Sequence, residues 1–401
     1  MRAREPVFRA DLTTNGSGVD DENRGLVYQP PLIRAPVPGL EWTGRIEGAS
    51  AVIRIPVPDH FNGKLMVGGI PAVRNERALD QILSDIVLQR GYAYAACDKG
   101  TPGLTLRDPR RSMAEWVPAY RALVRRTGEL LRRTRGRAPV RTYIAGVSNG
   151  GYVVRALLEQ EPDLFDGGVE WEGLLMDPAG RHLMTTLPVL VEAYPHYRAA
   201  KDSTARRRAH DRLVEAGLAT GSESSWDRYF SRYWVVSLWL YGRNLDPDWE
   251  PFSADFTPGW LDDPAPLLGD YRPSERQEQL RARMAPLANT GDIGRPLISI
   301  AGDYDCLLPF RDHAEAYELM VRRSRKADRH RLYRIPRGNH VDGLLRAEDT
   351  GQRPVLPFFE AALYRLEAWV EQGEAPPPSR ALEQVSDLYD LDALLTPAGG
   401  P

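Results

Sequence analysis

The stretch from Arg141 to Gly151, RTYIAGVSNGG, constrains the fold of this chain more than any other. A short β-branched and aromatic run ends at Ser148, which lies between Gly146 and Gly150, and an amphipathic stretch follows at once. This order predicts a strand, a sharp turn and a helix, with the serine side chain lifted out of the sheet on a strained corner. The flanking positions are glycine because a Cβ there would collide with the neighbouring strand or helix. With 35 glycines in 401 residues the spacing alone is a weak signal, so its surroundings decide its meaning.

Predicted strands and helices alternate on both sides of this turn. Alternating or continuous apolar runs predict the strands, and helical spacing predicts the connections between them. The predicted strands span residues 40–47, 51–57, 64–67, 92–97, 141–147, 167–176, 297–301 and 330–335, and the predicted helices 76–90, 112–135, 149 to about 162 and 311–325. Such an alternation indicates a largely parallel sheet that is covered by helices on both faces.

The sheet pattern lapses between residues 178 and 290. This stretch is helical in pattern and holds five of the nine tryptophans, namely Trp226, Trp234, Trp239, Trp249 and Trp260. We therefore predict an inserted helical cap at residues 178–290, which separates two parts of a core. The core parts span residues 36–177 and 291–375, an irregular leader spans residues 1–35, and a tail spans residues 376–401.

Aromatic residues in the cap recur at helical spacing and form one stripe: Trp226, Tyr229, Phe230, Tyr233, Trp234 and Tyr241. One interpretation is that this stripe is the hydrophobic core of the cap. A second interpretation, compatible with the first, is that part of it walls a substrate pocket, because such pockets are mostly apolar with few polar groups. On that interpretation the substrate-binding residues are Trp226, Tyr233 and Trp234.

An acid and a histidine follow the serine in the second core part. Asp305 comes after the first strand beyond the cap, and His340 lies in the loop after the next strand. A serine hydroxyl is too weak an acid to attack an ester unaided, whereas a histidine can take its proton and return it to the leaving group. An acid orients the imidazole and stabilises its cation. We therefore predict Ser148 as nucleophile, His340 as general base and Asp305 as the orienting acid, with Asp303 as the main competing acid and Asp177 as a third.

The chain resembles the α/β-hydrolases over about residues 40–177 and 291–375, because Ser148, Asp305 and His340 follow the order of that family. The resemblance implies an α/β-hydrolase fold. The run Gly68-Gly69-Ile70-Pro71 resembles the loop after the third strand of the family, which supplies one donor to the oxyanion of the intermediate. By that match the oxyanion donors are the backbone N–H groups of Ile70 and Asn149.

Two further stretches resemble the tannase and feruloyl esterase group and the related 3-hydroxybutyrate oligomer hydrolases. These are DHFNGKL at residues 59–65 and a C-terminal pattern that begins with PVLPFF at residues 354–359. This resemblance implies a carboxylic ester as substrate. Tannase-type enzymes carry cysteines beside the catalytic serine and histidine, whereas Val147 and Val341 occupy those places in this chain.

Composition and segment lengths argue against several other classes of protein. The formal net charge is −3 and acids lie between the basic runs, which disfavours a nucleic-acid partner. The longest apolar run, at residues 234–241, is far shorter than the ~20 residues of a membrane span. Cys97 and Cys306 form neither a disulfide framework nor a zinc spacing, and the first residues lack the apolar segment of a signal peptide. We therefore expect a cytoplasmic protein without metal, organic cofactor, nucleic-acid partner or membrane partner.

The leading hypothesis is a cytoplasmic serine esterase that acts on a small-molecule ester. An amidase, thioesterase, lactonase or acyltransferase would use the same three residues, so these activities remain alternatives. A binding protein on a hydrolase scaffold is a further alternative, which would require a broken triad. The oligomeric state, including a homo-oligomer, is left open.

Overall fold

The structure is a computed structural model, and it describes residues 2–3, 5–17, 33, 35–46, 51–346, 349 and 351–389. These residues form one sheet of eleven strands. The strands are β1 (Arg2–Ala3), β2 (Val7–Arg9), β3 (Gly39–Ile46), β4 (Ala51–Pro58), β5 (Lys64–Gly69), β6 (Ala93–Cys97), β7 (Arg141–Val147), β8 (Gly167–Trp171), β9 (Leu297–Gly302), β10 (His330–Ile335) and β11 (Arg380–Ala381).

The sheet is antiparallel on one side and parallel on the other. The strand order is β1-β3-β4-β6-β5-β7-β8-β9-β10-β11, and β2 pairs with β3. Strands β1 to β4 pair antiparallel and β4 joins β6 antiparallel, whereas every pair from β6 to β11 is parallel. The prediction of a largely parallel sheet is confirmed, and the parallel part carries the strand that leads to Ser148.

Twelve α-helices accompany the sheet in the described residues. They are α1 (Thr14–Ser17), α2 (Asp85–Gln89), α3 (Trp116–Arg135), α4 (Asn149–Gln160), α5 (Leu183–Ala199), α6 (Ser203–Glu215), α7 (Glu223–Tyr229), α8 (Val235–Leu245), α9 (Ala265–Leu268), α10 (Gln277–Met284), α11 (Ala316–Arg323) and α12 (Leu356–Gln372). None of the described helices has the length and apolar character that crossing a membrane requires.

Two adjacent glycines of β8 show that helices cover both faces of the sheet. A Cβ on Gly167 would meet Leu366 and Val370 of α12, whereas a Cβ on Gly168 would meet Val154 and Leu158 of α4. Successive residues of a strand point to opposite faces, so α12 and α4 lie on opposite sides of β8. The predicted layering is therefore confirmed.

The segment between β8 and β9 is helical in the described structure. Helices α5 to α10, a π-helical turn at Phe230–Trp234 and several short 3₁₀ turns lie within residues 178–290, which we call the cap segment, and no strand interrupts them. Helix α5 packs against α6 and α8, so the segment has internal packing of its own. The division of the chain into leader, two core parts, cap and tail remains a prediction.

Three segments differ from the sequence-based expectation. The leader is not wholly irregular, because β2 pairs with β3 through backbone hydrogen bonds while its side chains Val7 and Phe8 stay exposed and give no apolar pattern. Strand β8 ends at Trp171 rather than at residue 176 because Glu172 adopts a positive φ of 49°. In the tail, β11 pairs with β10, and residues 390–401 lie outside the described part.

Candidate active site

Ser148 occupies a strained corner between β7 and α4. Its φ is 57°, a value that non-glycine residues rarely adopt, and only 8% of the residue is exposed. The corner is held by backbone hydrogen bonds: the Ser148 N–H donates to Trp171 O at 2.9 Å, and Ser148 O accepts from the N–H groups of Tyr152 and Leu174 at 3.1 Å each. The sheet therefore fixes the serine at the carboxyl end of β7.

The glycines around Ser148 are required by close backbone packing. An added Cβ on Gly150 would lie 1.7 Å from Gly69 O, and one on Gly146 would lie 2.5 Å from Gly150 O. Any side chain at these positions would push α4 away from the ends of β5 and β7. The steric reason that the sequence suggested for the glycines is confirmed.

The structure brings Ser148, His340 and Asp305 into one hydrogen-bonded chain. His340 Nε2 lies 3.1 Å from Ser148 Oγ, and His340 Nδ1 lies 2.7 Å from Asp305 Oδ2. The other oxygen of Asp305 accepts the backbone N–H groups of Leu307 and Leu308 at 2.7 Å each. These bonds hold the carboxylate in place, so the imidazole presents Nε2 to the serine.

The loops that carry Asp305 and His340 are joined by Asn339. Its side-chain oxygen accepts the N–H of Cys306 at 3.0 Å and the N–H of His340 at 2.9 Å. One amide thus fixes the spacing of the acid loop and the histidine loop. Sequence reasoning missed this role, because an asparagine beside glycine also suits an ordinary turn.

The two competing acids lie elsewhere. Asp303 accepts the backbone N–H of Arg337 at 2.6 Å and pairs with Arg334 near the surface. Asp177 accepts the backbone N–H of Ala179 at 2.9 Å and closes its own turn. Asp305 is therefore the acid that contacts His340 in this structure.

Glu172 is a buried acid of the site that sequence reasoning missed. It follows β8 directly, is 3% exposed and accepts the backbone N–H of Gly302. Its carboxyl group also lies close enough to that of Asp305 for the two to interact. Burial, and then the charge of Asp305, raise the pKa of Glu172 well above its ordinary value. The site therefore favours the protonated, neutral form of this side chain.

The predicted oxyanion donor Ile70 is wrong. The Ile70 N–H donates to the hydroxyl of Tyr120 at 2.8 Å, and Ile70 O accepts the buried ammonium group of Lys99 at 2.7 Å. Both backbone groups of Ile70 thus have partners in the core, and the N–H cannot face a substrate. The predicted second donor, Asn149, begins α4, where the first N–H groups of a helix have no intrahelical acceptor.

Ala72 replaces Ile70 as the candidate donor in this loop. Pro71 has no N–H, so the next available backbone donor is that of Ala72, which lines the same cavity as Ser148. No acceptor for the Ala72 N–H occurs among the described residues. Ala72 has a positive φ of 45°, so the loop is held in an unusual conformation at this point.

Tyr241 of α8 adds a hydroxyl group to the same cavity. Asn149 Nδ2 donates to Tyr241 Oη at 2.7 Å and to Ala72 O at 3.2 Å. Burial raises the pKa of Tyr241 to about 12, so its proton stays on the ring oxygen at neutral pH. In the described part of the chain no acceptor for this proton is found, so the hydroxyl group can donate a hydrogen bond to a substrate in the cavity.

The cavity over Ser148 is small and mostly apolar. Its free volume is about 50 Å³. It is lined by core residues and cap residues together: Pro71, Ala72, Arg74, Ser148, Asn149, Leu183, Tyr233, Ser237, Tyr241, Leu307, Leu308, His340 and Val341. This volume is well below the roughly 300–1,000 Å³ of common small-molecule pockets, so the space in this structure suits a small group.

Of the three predicted substrate-binding residues, only Tyr233 lies at this cavity. Its ring packs edge-on against that of His340, with centroids 6.4 Å apart. The prediction for Trp226 and Trp234 is wrong, because both are fully buried within the protein and neither lines the cavity. Trp226 Nε1 donates to Ser222 Oγ at 2.8 Å and Trp234 Nε1 donates to Cys306 O at 2.6 Å, so their polar atoms are already bonded.

Metal binding finds no support in the described residues. No three His, Cys, Asp or Glu side chains there are grouped closely enough to hold a metal ion. Cys97 and Cys306 are buried free thiols, and burial raises the pKa of each to about 12.

Comparison with known proteins gives a match of folds without a match of sequences. No protein-family model and no curated protein sequence matches the chain. An esterase from Aspergillus oryzae superimposes with a TM-score of 0.60 at 14% identity, covering 94% of this chain and 87% of the esterase chain. The chain has the α/β-hydrolase fold.

Two other α/β-hydrolase structures are similar over nearly the whole chain. Feruloyl esterase B from Aspergillus oryzae and tannin acyl hydrolase from Aspergillus niger each superimpose with a TM-score of 0.53 at 14% identity. Each comparison covers 93% of this chain, together with 88% of the feruloyl esterase B chain and 83% of the tannin acyl hydrolase chain. The predicted resemblance is confirmed at the level of the α/β-hydrolase fold, which by itself says little about substrate.

Proposed function

We propose that the protein is a serine hydrolase that cleaves a carboxylic ester through an acyl-enzyme on Ser148. The observation that carries this proposal is the hydrogen-bonded chain from Ser148 through His340 to Asp305. Its distances are those that proton transfer between a nucleophile and a general base requires. The serine also lies on a strained corner that opens into a cavity, where a substrate carbonyl would meet it.

In the proposed acylation step, His340 Nε2 takes the hydroxyl proton of Ser148 while Oγ attacks the ester carbonyl carbon. Asp305 accepts the Nδ1–H and stabilises the imidazolium that forms. The backbone N–H groups of Asn149 and Ala72 face the oxyanion of the tetrahedral intermediate. One donor of this kind typically contributes ~3 kcal/mol to transition-state stabilisation.

The intermediate then collapses to the acyl-enzyme. His340 returns its proton to the leaving alkoxide, so the alcohol departs neutral. A water molecule enters the vacated position, gives a proton to His340 Nε2 and attacks the acyl carbon. The second tetrahedral intermediate releases the carboxylic acid and restores the proton to Ser148 Oγ. No cofactor takes part in these steps.

A fluorophosphonate probe and two serine variants test the proposed nucleophile. We expect the probe to label the wild-type protein and the Ser237→Ala variant, since Ser237 lines the cavity without contacting His340. We expect no labelling of Ser148→Ala, together with loss of p-nitrophenyl acetate hydrolysis. Circular dichroism and thermal unfolding establish that both variants fold. Turnover retained in folded Ser148→Ala would overturn the proposal.

A matched substrate panel tests the bond that is cleaved. The panel presents one small acyl group as an ester, an amide, a thioester and a lactone of similar size. We expect the ester to have a much higher kcat/KM than the amide, because an alkoxide is a better leaving group than an amide anion and depends less on the proton that His340 returns. A Ser148-dependent preference for another member of the panel would assign that activity instead. Product analysis with added alcohols separates hydrolysis from acyl transfer.

A further inference from the structure

A second cavity lies between the core and the cap segment, apart from the catalytic one. Its free volume is about 370 Å³, and it shares no lining residue with the cavity over Ser148. The core contributes residues 106–112 and Ala114, which follow β6 and precede α3. The cap segment contributes residues from the end of α8 and from α10 and the turn after it.

Guanidinium groups dominate the lining of this cavity. Asp108 is the one carboxylate among the lining residues. Five arginines line the cavity, namely Arg107, Arg110, Arg111, Arg243 and Arg283. Asp108 pairs with Arg110, and Glu115 outside the cavity pairs with Arg111. Within the described part of the chain, the other three arginines form no ion pair with a carboxylate. The cavity therefore carries an excess of positive charge.

Two of these cations are held in place by the protein before any ligand arrives. Arg107 lies 3.6 Å over the Trp239 ring and donates to Trp239 O at 3.0 Å and to Ala254 O at 2.8 Å. Arg243 donates to Ser253 Oγ at 2.9 Å and to Pro247 O at 3.3 Å. Side chains fixed in this way lose little conformational entropy when a ligand binds.

The fixed cations lie near one another. Partial burial, and then the charge of Arg243, lower the pKa of Arg107 to about 10, while Asp255 opposes this shift. Burial, and to a smaller extent the charge of Arg243, therefore disfavours the cation of Arg107. An anion placed between the two guanidinium groups would relieve that repulsion.

We propose that this cavity binds a small molecule that carries two adjacent phosphate groups. Guanidinium groups bind phosphate through paired N–H donors, and a diphosphate offers enough oxygens for several of them at once. A ligand with one anionic group would leave part of the positive charge unpaired. The volume lies within the range of small-molecule sites, so the diphosphate can carry an organic group.

Ligand bound here contacts both the core and the cap segment. Arg107 and Arg111 belong to the core side, whereas Arg243 and Arg283 belong to α8 and α10 of the cap segment. An anion that bonds both sides adds contacts between them in the folded state only. Its binding therefore stabilises the folded protein, by an amount that grows with ligand concentration.

Calorimetric titration with pyrophosphate at constant ionic strength tests the proposal. The decisive variant is Arg283→Glu, and Arg281→Glu is its control, since both arginines are exposed on α10 but only Arg283 lines the cavity. We expect Arg283→Glu to weaken pyrophosphate binding by about tenfold or more, while Arg281→Glu stays within about twofold of wild type. Thermal unfolding with and without pyrophosphate gives a second readout, in which the rise in Tm is lost in Arg283→Glu alone.

Three results would overturn the proposal. The first is no binding of pyrophosphate to the wild-type protein at millimolar concentration. The second is equal weakening by both variants, which would indicate general attraction to a basic surface. The third is tighter binding of tricarballylate than of pyrophosphate, which would assign carboxylate chemistry to the cavity. ADP in a parallel titration shows whether an attached nucleoside adds affinity. The folded Ser148→Ala variant should bind pyrophosphate like wild type, so this test is independent of the proposed esterase activity.

Discussion

The buried carboxyl group of Glu172 lies next to the carboxyl group of Asp305, the acid that contacts His340. Two carboxylates in a buried contact would repel, and burial together with the charge of Asp305 raises the pKa of Glu172 well above its ordinary value, which favours a proton on Glu172. The backbone N–H of Gly302 donates to one oxygen of Glu172. We therefore expect a protonated Glu172 to help hold the Asp305 carboxylate toward His340.

The difference in unfolding free energy between Glu172→Gln and wild type should shift in favour of the variant as the pH rises. The folded-state pKa of Glu172 lies above its ordinary value of 4.5, so folding binds a proton in the window above pH 4.5. Wild-type stability then falls with pH in that window, by up to about 1.4 kcal/mol per pH unit. Glu172→Gln keeps the shape and lacks the titration. Urea unfolding at pH 5 and pH 8 measures the difference.

Glu129→Gln serves as the control for that experiment, because Glu129 is an exposed partner of Arg126. We expect it to leave the pH dependence of unfolding unchanged. A stability difference between Glu172→Gln and wild type that is the same at both pH values would contradict the neutral state assigned to Glu172.

Removal of the Tyr241 hydroxyl should slow catalysis with little effect on substrate binding. Its proton has no acceptor among the described residues and lies in the cavity of Ser148, so it can donate to oxygen that becomes charged in the transition state. We expect Tyr241→Phe to lower kcat about tenfold with KM nearly unchanged. Steady-state kinetics with p-nitrophenyl acetate measure both constants.

Tyr233→Phe is the matched control, because Tyr233 lines the same cavity but its hydroxyl makes no hydrogen bond among the described residues to Asn149 or Ser148. We expect its kcat to stay within about threefold of wild type. Equal losses in the two variants would show that Tyr241 has no special part in the reaction.

The free volume of about 50 Å³ over Ser148 predicts a preference for short acyl groups. Leu183, at the start of α5, forms part of the wall. Leu183→Ala should therefore raise the ratio of kcat/KM for p-nitrophenyl butyrate over the acetate by about tenfold. Leu187→Ala is the control, since Leu187 is buried one turn further along α5 and does not line the cavity. The ratio cancels any loss of folded protein, and an unchanged ratio in Leu183→Ala would contradict the assigned wall.

The parts of the site that local sequence determines could be predicted. Ser148 lies in a strand-turn-helix whose glycines leave few other conformations, and the acid and histidine follow strands that end at the same edge of a parallel sheet. Their meeting follows from topology alone. The choice of Asp305 over Asp303 needed the structure, because either side of Tyr304 could have faced His340.

The remaining parts depend on directions that only tertiary packing sets. The N–H of Ile70 could have faced the substrate or the core, and the hydroxyl of Tyr120, fifty residues away, decides for the core. Helical spacing showed that Trp226 and Trp234 share an apolar face with Tyr233. It could not show which of them packs inside the protein and which reaches the cavity.

Alanine at position 150 should abolish the native corner at Ser148. Its Cβ would lie 1.7 Å from Gly69 O. Because the Cβ is attached directly to the backbone of α4 and Gly69 O belongs to the backbone of β5, the clash can be relieved only if α4 moves away from β5. We expect Gly150→Ala to destabilise folding by about 3 kcal/mol or more and to lose fluorophosphonate labelling. Gly128→Ala within α3 is the control: nothing lies within 4 Å of its added Cβ, so it should stabilise by ~0.5–1 kcal/mol. Urea unfolding measures the stability of both variants. Wild-type stability and labelling in Gly150→Ala would contradict the predicted clash with Gly69 O.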